Sequence, residues 1–441
     1  MISPEDSLDG ELDVLIEDGV LKKIAPSIEF AADEVIVASG QVVAPGFIDL
    51  HAHLREPGGE ASETLETGLA AAVAGGFTAV CPMPNTRPVN DSAELTRWLI
   101  ERAAKLDLAR VFPIAAVSLG SEGESLTNFA ALAEAGAVAF SDDGRPVKTA
   151  GLLRRALEAA QPLGLPIIDH CEDPTLSAGG AVNEGPVAGR LGLRGIPASS
   201  EDVCVARDLV LAESTGAHLH VAHLSTRGSL EMVRLAKRRG VRVTAEVTPH
   251  HLILTEEAVE RYGTHAKMNP PLRSASDVET LVAGLADGTI DAIATDHAPH
   301  APELKRKPIA EAPFGVIGFE TALGLALTHL VHAGRISLWQ LVVLLSANPA
   351  RIIGESGLAH TQRAGDSPGE RLSLGRLEAG CAADITVFDS NLEWTYRAAG
   401  GCSKSRNSPF DGWKLKGAVT ATIVGGRVVY RRPRSAALPP A

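Results

Sequence analysis

Residues 46–55 read Gly-Phe-Ile-Asp-Leu-His-Ala-His-Leu-Arg, an apolar run that becomes polar at its end. The apolar part is typical of a buried strand, and His51 and His53, two positions apart, project from the same face of it. Neutral imidazoles placed in this way can hold one divalent metal ion. Two histidines satisfied by hydrogen bonds at a strand end would give the same local pattern, so the rest of the chain has to distinguish the two interpretations.

The surrounding sequence repeats the same alternation of a short apolar run with a longer helical pattern. Parallel strands need a crossover connection between them, and eight such units close a barrel. The pattern therefore predicts an α/β fold with a (β/α)8 TIM-like barrel over residues 44–350; an open doubly wound sheet is the alternative. The apolar runs are residues 47–53, 79–83, 111–117, 137–141, 166–170, 218–223, 242–247 and 291–295. The helical patterns are residues 63–74, 92–106, 126–135, 151–163, 200–215, 228–239, 275–285 and 320–332.

The two chain ends differ from the barrel pattern and indicate strands without helices. Short strands are expected at residues 13–24, 34–43, 384–388 and 420–430, with turns at Asp-Gly and Gly-Gly pairs. We expect residues 1–43 and 351–441 to form one small β-sandwich domain from both ends. Residues 359–370 are expected to be an exposed loop, and the last eight residues a frayed tail.

Composition limits the class of partner. The 441 residues carry a net charge of −13, which argues against nucleic acid or an anionic membrane as a partner. No apolar run is long enough to span a membrane. The five cysteines are odd in number and widely spaced, so we expect no disulfide framework and a cytoplasmic location.

Further metal-binding side chains stand where other runs end, listed here in chain order: Asp143, His170, His223 and Asp296. Barrel enzymes place their sites at these carboxyl-terminal strand ends. Four histidines with carboxylates exceed the needs of one zinc ion and suit two metals that share a bridging carboxylate. Unrelated capping and turn residues are the alternative, especially for the Asp142-Asp143-Gly144 turn.

A second group of side chains is suited to holding an anion. Arg55 follows His53 on the same loop, and an arginine can grip a carboxylate with two parallel hydrogen bonds. Asn85 and Asn269 could complete such a cradle, and His300 could add a donor. Each of these residues alone would also fit ordinary loop structure.

With these residues in view, the chain closely resembles the dihydroorotases of the bacterial class I type, within the amidohydrolase superfamily. The resemblance covers nearly the whole chain. Its motifs are Gly46-Phe-Ile-Asp-Leu-His-Ala-His-Leu-Arg-Glu-Pro-Gly58, Met83-Pro-Asn-Thr86, Ser141-Asp-Asp-Gly144, His170-Cys-Glu-Asp173, Ala222-His-Leu-Ser225, Val247-Thr-Pro-His-His251, Met268-Asn-Pro-Pro271, Ala294-Thr-Asp-His-Ala-Pro-His300, Ala312-Pro-Phe-Gly315, Gly318-Phe-Glu320, Ser403-Lys-Ser-Arg-Asn407 and Gly412-Trp413.

The resemblance implies roles for individual residues. It implies two zinc ions, held by His51, His53, Asp143, His170, His223 and Asp296, with Asp143 between the two metals where many relatives have a carboxylated lysine. It implies that Asp296 is also the catalytic acid and base. Substrate binding is implied for His53, Arg55, Asn85, Asn269, His300 and the backbone of Phe314 and Gly315.

The implied reaction is the reversible cyclisation of N-carbamoyl-L-aspartate to (S)-dihydroorotate in de novo pyrimidine (UMP) synthesis. The expected partners are this small substrate, further copies of the chain and an aspartate carbamoyltransferase, which is expected to order the loop at residues 305–313. The family also has a strand of some ten residues before the part that matches Met1, so a shortened sheet or a late recorded start is expected here.

Two other functions fit part of the pattern. Hydantoinases and allantoinases share the barrel and the metals, but Arg55 and an aspartate rather than a lysine at position 143 favour dihydroorotase. A non-catalytic homologue that serves as a structural subunit of aspartate carbamoyltransferase would have lost metal ligands, whereas all six candidates are present.

Overall fold

The computed structural model describes residues 1–358 and 374–433, and only the backbone of residues 355–358. The expected loop at 359–370 and the expected tail lie outside the described residues. Parallel strands occupy eight successive positions around a barrel, which confirms the fold class. In chain order the barrel strands are Phe47–Ala52, Phe77–Pro82, Arg110–Val111 with Ile114–Ala115, Ala139–Phe140, Ile167–Asp169, Leu219–Val221, Val243–Val247 and Ala292–Ile293.

Two features of the ring depart from a simple row of eight strands. The third predicted run, 111–117, is split at Pro113, which has no N–H to donate to a neighbouring strand. Its first half pairs with the second strand and its second half with the fourth. Closure between the first and eighth positions is made by an isolated parallel bridge, in which the His53 amide donates to the His297 carbonyl at 2.8 Å.

Helices cover the outside of the barrel. Five of the eight that match the predicted patterns begin at a serine or threonine whose side chain accepts a hydrogen bond from the first turn. The eight predicted helical patterns correspond to Leu65–Ala74, Ala93–Leu106, Phe129–Glu134, Ala150–Ala160, Ser199–Thr215, Arg227–Arg238, Ala275–Ala286 and Phe319–Ala326, the last continuing as a π-helix at Leu327–Val331. Further helices not foreseen from the sequence are Pro174–Ser177, Pro186–Leu191, Pro249–Ile253, Ala258–Tyr262, Pro302–Lys305, Leu338–Val342, Asn348–Leu358 and a π-helix at Val343–Ala347.

Outside the barrel, strands from both chain ends form a smaller antiparallel structure. A four-stranded antiparallel sheet has the order Arg427–Arg431, Lys414–Val424, Ile385–Thr395, Val42–Pro45. The hairpin Asp13–Glu17 and Val20–Ala25 packs against it through a shared apolar cluster that contains Leu21, Ile385 and Ile423. Short strand pairs are also formed by Ile2–Ser3 with Leu8–Asp9 and by Val182–Asn183 with Gly195–Ile196.

The expected strand at 34–43 is wrong for most of its length, because only its end joins the strand Val42–Pro45. The apolar side chains that suggested it, Val35 and Val37, are more than 70% exposed, at 72% and 74%. They have no sheet face to pack on, so alternation alone does not make a strand there. The domain boundaries at 43/44 and 350/351 stay a prediction.

The sheet from the chain ends packs against the amino-terminal ends of the first two barrel strands. Thr386 Oγ1 donates to the Gly76 carbonyl at 2.6 Å, and the Phe47 amide donates to Thr386 Oγ1 at 3.2 Å. This arrangement leaves the carboxyl-terminal ends of the strands free to carry a site. Within the part of the chain that the structure describes, no helix has the length and apolar character needed to span a membrane.

Candidate metal centre and active site

The first strand delivers two imidazoles to the carboxyl-terminal rim of the barrel. The His51 side chain is fully buried, and its Nε2 lies 3.3 Å from Asp143 Oδ1 and 3.7 Å from Asp296 Oδ1. His53 Nε2 lies 3.1 Å from Asp296 Oδ1 and 3.5 Å from Asp143 Oδ2. The spacing of two positions on one strand therefore aims both rings at the same pair of carboxylates.

Two further imidazoles approach the same carboxylate of Asp143. His170 Nδ1 lies 2.9 Å from His223 Nε2, and these nitrogens lie 3.9 and 3.8 Å from Asp143 Oδ1. Burial and the neighbouring His223 lower the pKa of His170, which favours the neutral, metal-binding form of its ring. Both pairs of histidines thus share Asp143.

Burial alone would raise the pKa of Asp296, but the hydrogen bond with His53 and the nearby imidazoles hold it below its usual range. The same balance keeps the pKa of Asp143 low, where His51 is the main opposing influence. Both carboxyl groups are therefore ionised at neutral pH and can serve as metal ligands or proton acceptors.

Part of the expected anion-binding group surrounds this centre. The half-buried Arg55 donates from Nε to the Pro299 carbonyl at 3.2 Å, and burial lowers the pKa of its guanidinium to about 10, so it stays cationic at neutral pH. Asn85 is turned towards the metal centre: its Oδ1 lies 3.0 Å from His53 Nδ1, and its Nδ2 donates to Asp143 Oδ2 at 3.2 Å. Asn85 thereby fixes the orientation of two candidate ligands.

The remaining candidates lie on two adjacent loops. Asn269 Nδ2 lies 3.3 Å from His170 Nε2 and donates to Glu172 Oε2 at 2.8 Å. His300 Nε2 lies 2.6 Å from the Phe314 carbonyl oxygen, which links two residues expected to contact substrate. Gly315 is buried next to them with a φ of 126°, a conformation that favours glycine.

Three candidate site residues have a strained backbone. Arg55, His223 and Asp296 have φ values of 62°, 28° and 46°, in the left-handed region that residues with a Cβ seldom adopt. Such conformations persist where the surrounding structure imposes them, and they are common at functional sites. Three candidate site residues from three different strand ends share this property.

Sequence reasoning missed residues that support the site. Glu246, near the carboxyl-terminal end of the strand Val243–Val247, accepts from His51 Nδ1 at 2.8 Å and contacts His220 Nε2 at 3.2 Å. A charged residue inside an apolar run was the available signal. Asn407, noted only within a motif, donates from Nδ2 to the Ala298 and Gly315 carbonyls, each at 3.0 Å.

A second buried cluster of possible ligands has a different explanation. Asp169, Cys171, Cys204 and Asp208 lie close together beneath His170. Arg207 closes this cluster, with Nε 2.6 Å from Asp208 Oδ1 and Nη2 3.3 Å from Asp169 Oδ2. The Cys171 thiol donates to Asp208 at 3.2 Å, so an internal cation and a protonated thiol already satisfy these carboxylates.

The donor set fits a pair of divalent metals. Two groups of possible ligands, His51 with His53 and His170 with His223, each include Asp143, and within each group the ligand atoms lie within 4.8 Å of one another. His51 Nε2 is buried and makes no hydrogen bond. A buried imidazole nitrogen that makes no hydrogen bond is costly unless a ligand such as a metal ion satisfies it.

Comparisons with known proteins agree with this arrangement. A family model described as dihydro-orotase-like matches residues 40–229. The dihydroorotase of Pelotomaculum thermopropionicum is 52% identical over 96% of this chain and 94% of its own length, and that of Citrifermentans bemidjiense is 50% identical over 98% of each. Among solved structures, the L-hydantoinase (dihydropyrimidinase) of Arthrobacter aurescens has a TM-score of 0.85 at 26% identity, covering 98% of this chain and 95% of that one. By its sequence identity along almost its full length, the chain belongs to the dihydroorotase family.

Proposed function

We propose that this protein is a dihydroorotase that interconverts N-carbamoyl-L-aspartate and (S)-dihydroorotate, with release or uptake of water, in de novo pyrimidine (UMP) synthesis. The observation that carries the proposal is the pair of histidine groups that share Asp143 at the rim of the barrel, beside Arg55. The names of the relatives support the substrate, and Arg55 supplies the cation that a carboxylate-bearing ring requires.

The residues that would hold two zinc ions are His51, His53, Asp143, His170, His223 and Asp296. Bound metals of this kind lower the pKa of water and polarise a carbonyl group. We propose that the bound metals are zinc and that each chain binds two of them. The donor set of imidazoles and carboxylates supports zinc.

In the hydrolytic direction the protein must accept a proton from the attacking water and return one to the ring nitrogen that leaves. We assign both steps to Asp296: its carboxylate, 3.1 Å from His53 Nε2, is ionised and can accept the proton, and the carboxylic acid so formed can return it. Arg55, together with Asn85 and Asn269, would hold the free carboxylate of the ring. Fixing that carboxylate fixes the reacting carbonyl relative to the centre.

The proposal extends to location and partners. A cytoplasmic enzyme fits the five free cysteines. Assembly into homo-oligomers, and a complex with aspartate carbamoyltransferase, are proposed from the family resemblance. A structural role alone is disfavoured, because the chain retains all six candidate ligands and brings them together.

The test is a comparison of substrates on one purified preparation whose metal content is also measured. We expect hydrolysis of dihydroorotate to exceed hydrolysis of hydantoin and allantoin by orders of magnitude, with about two zinc ions per chain. Preference for hydantoin or allantoin would assign the chain to another cyclic-amide hydrolase. Absence of all three activities in a metal-loaded sample, with and without aspartate carbamoyltransferase, would refute the enzyme assignment.

A further inference from the structure

A segment next to the site is held by buried lysine side chains. The segment runs from Lys305 to Gly315 and ends with Phe314 and Gly315, which are expected to contact the substrate. Its middle is exposed at residues 306–308, yet Lys305 is only 4% exposed. We call it the 305–315 segment.

Lys305 is bonded to backbone rather than to acidic side chains. Its Nζ donates to the carbonyls of Pro313 at 2.8 Å, Thr264 at 3.0 Å and Lys267 at 3.3 Å. An ammonium group has three protons to donate, so these three acceptors satisfy it completely. One of them lies within the segment, and the other two lie on the loop that leads to Asn269.

Lys267 makes the reciprocal connection. Its Nζ donates to the carbonyls of Ile309 and Ala312, each at 2.6 Å, and lies 4.3 Å from the centre of the Phe314 ring. Its carbonyl oxygen accepts from the Gly315 amide at 2.9 Å. The two lysines therefore cross-link the 305–315 segment and the loop before Asn269 at both ends of the segment.

The two lysine ammonium groups are buried, and backbone carbonyls rather than carboxylates surround them. Within residues 1–354 and 374–433, whose side chains the structure describes, no carboxylate oxygen lies within 4 Å of either lysine nitrogen. Burial lowers the pKa of Lys267, and burial with the nearby Lys267 and Arg55 lowers the pKa of Lys305 to about 7. A desolvated cation without a carboxylate depends on its carbonyl acceptors, so the segment and the lysines hold each other in place.

We propose that Lys267 and Lys305 are positioning residues that hold the Phe314 carbonyl against His300 and present the end of the 305–315 segment to the substrate. As far as it concerns substrate, the inference rests on the proposed function. The role of the lysines in ordering the segment does not depend on it. Neither lysine is proposed to touch the reacting atoms.

The experiment compares Lys305→Met and Lys267→Met with Lys307→Met, a matched control on the exposed part of the same segment. Hydrogen–deuterium exchange of residues 305–315 is measured without substrate, together with kcat and KM for dihydroorotate. We expect faster exchange and about a tenfold or greater rise in KM in the first two variants, the size of a lost charged hydrogen bond, with a smaller change in kcat. Lys307→Met should match the wild type in both measurements.

Unchanged exchange and unchanged KM in folded Lys305→Met and Lys267→Met would overturn the proposal. If both variants fail to fold, the wild type still decides: the amides of Ala312 and Gly315, which are hydrogen-bonded in the structure, must exchange slowly. If these two amides exchange at the rate of an unfolded peptide, the 305–315 segment is not held in place and the proposal is refuted. If instead the proposed function is wrong, the wild type will not turn over dihydroorotate, although residues 305–315 are still protected from hydrogen–deuterium exchange.

Discussion

At the scale of single residues, the role of Asp296 as a proton acceptor can be tested without changing the size of its side chain. Replacing it by asparagine keeps the volume and removes the proton acceptor. We expect Asp296→Asn to lower kcat by about 10²–10⁴, the usual contribution of acid–base catalysis, while substrate affinity stays near that of the wild type. Stopped assays for turnover and calorimetry for binding, on samples of matched metal content, measure the two effects.

Near-normal turnover in Asp296→Asn would contradict the acid–base role. A loss of bound metal that accounts for the whole loss of turnover would also contradict it, since Asp296 would then act only as a ligand. The separate measurement of metal content distinguishes these outcomes.

A substitution at Glu246 tests whether a carboxylate that is hydrogen-bonded to a metal-binding histidine affects metal affinity. Its hydrogen bond to His51 Nδ1 fixes the tautomer that leaves Nε2 directed at the centre. We expect Glu246→Gln to weaken zinc binding about 10–100-fold, as measured by competition with a chelator. Glu256→Gln, at a buried carboxylate that contacts Asn183, is the control and should leave zinc affinity unchanged.

The contrast between these two residues shows what sequence can and cannot predict about the site. Asp296 stands at a strand end beside a histidine, so local pattern alone made it a candidate. Glu246 lies inside a run, and its partner His51 is 195 positions away on a different strand. Its role depends on which side chains the closed barrel places opposite each other, and periodicity within one strand does not contain that information.

At the scale of elements, the alternation of runs and helical patterns predicted the barrel, and differences occurred where one residue overrode the pattern. Pro113 splits the third strand, since a proline cannot donate within a sheet. The exposed Val35 and Val37 have the alternation of a strand but no partner. The short helices that carry loop residues, such as Pro302–Lys305, are too brief to give a periodic signal.

His218, just before the strand Leu219–Val221, makes the stability of the folded protein depend on pH. His218 Nε2 lies 2.8 Å from Thr244 Oγ1, and burial, with His220 and Arg242 nearby, lowers the pKa of His218 from 6.5 to about 3. Between these values the unfolded chain binds the proton and the folded protein does not. The stability contributed by neutral His218 is therefore present above pH 6.5 and is lost as the pH falls towards 3.

We expect His218→Gln to flatten the fall in stability of the metal-free protein over this pH range by up to about 1.4 kcal/mol per pH unit, the effect of one proton. Thermal unfolding at several pH values measures it. His332→Gln, at an exposed histidine, is the control. A pH profile of His218→Gln parallel to that of the wild type would show that His218 is protonated in the folded protein.

At the scale of the whole molecule, the sheet from the chain ends is joined to the barrel at the end opposite the site. Arg110, on the third barrel position, donates from Nε to Asp384 Oδ2 at 2.6 Å and from Nη2 to Asp384 Oδ1 at 3.2 Å. Both residues are buried, at 5% and 6% exposure. Asp384 also accepts from the Gly425 amide at 2.7 Å, so one carboxylate ties the barrel to the hairpin turn of the sheet.

Replacing Asp384 by asparagine removes the negative charge from one side of this buried ion pair. We expect Asp384→Asn to lower the free energy of unfolding by about 3–5 kcal/mol, whereas Glu279→Gln, which breaks the exposed pair with Arg335, should change it by about 1 kcal/mol or less. Urea unfolding measures both. Since Asp384 lies at the amino-terminal end of the barrel, kcat per folded molecule should be unchanged. Equal effects of the two variants on unfolding would mean that the buried pair stabilises the fold no more than the exposed pair does.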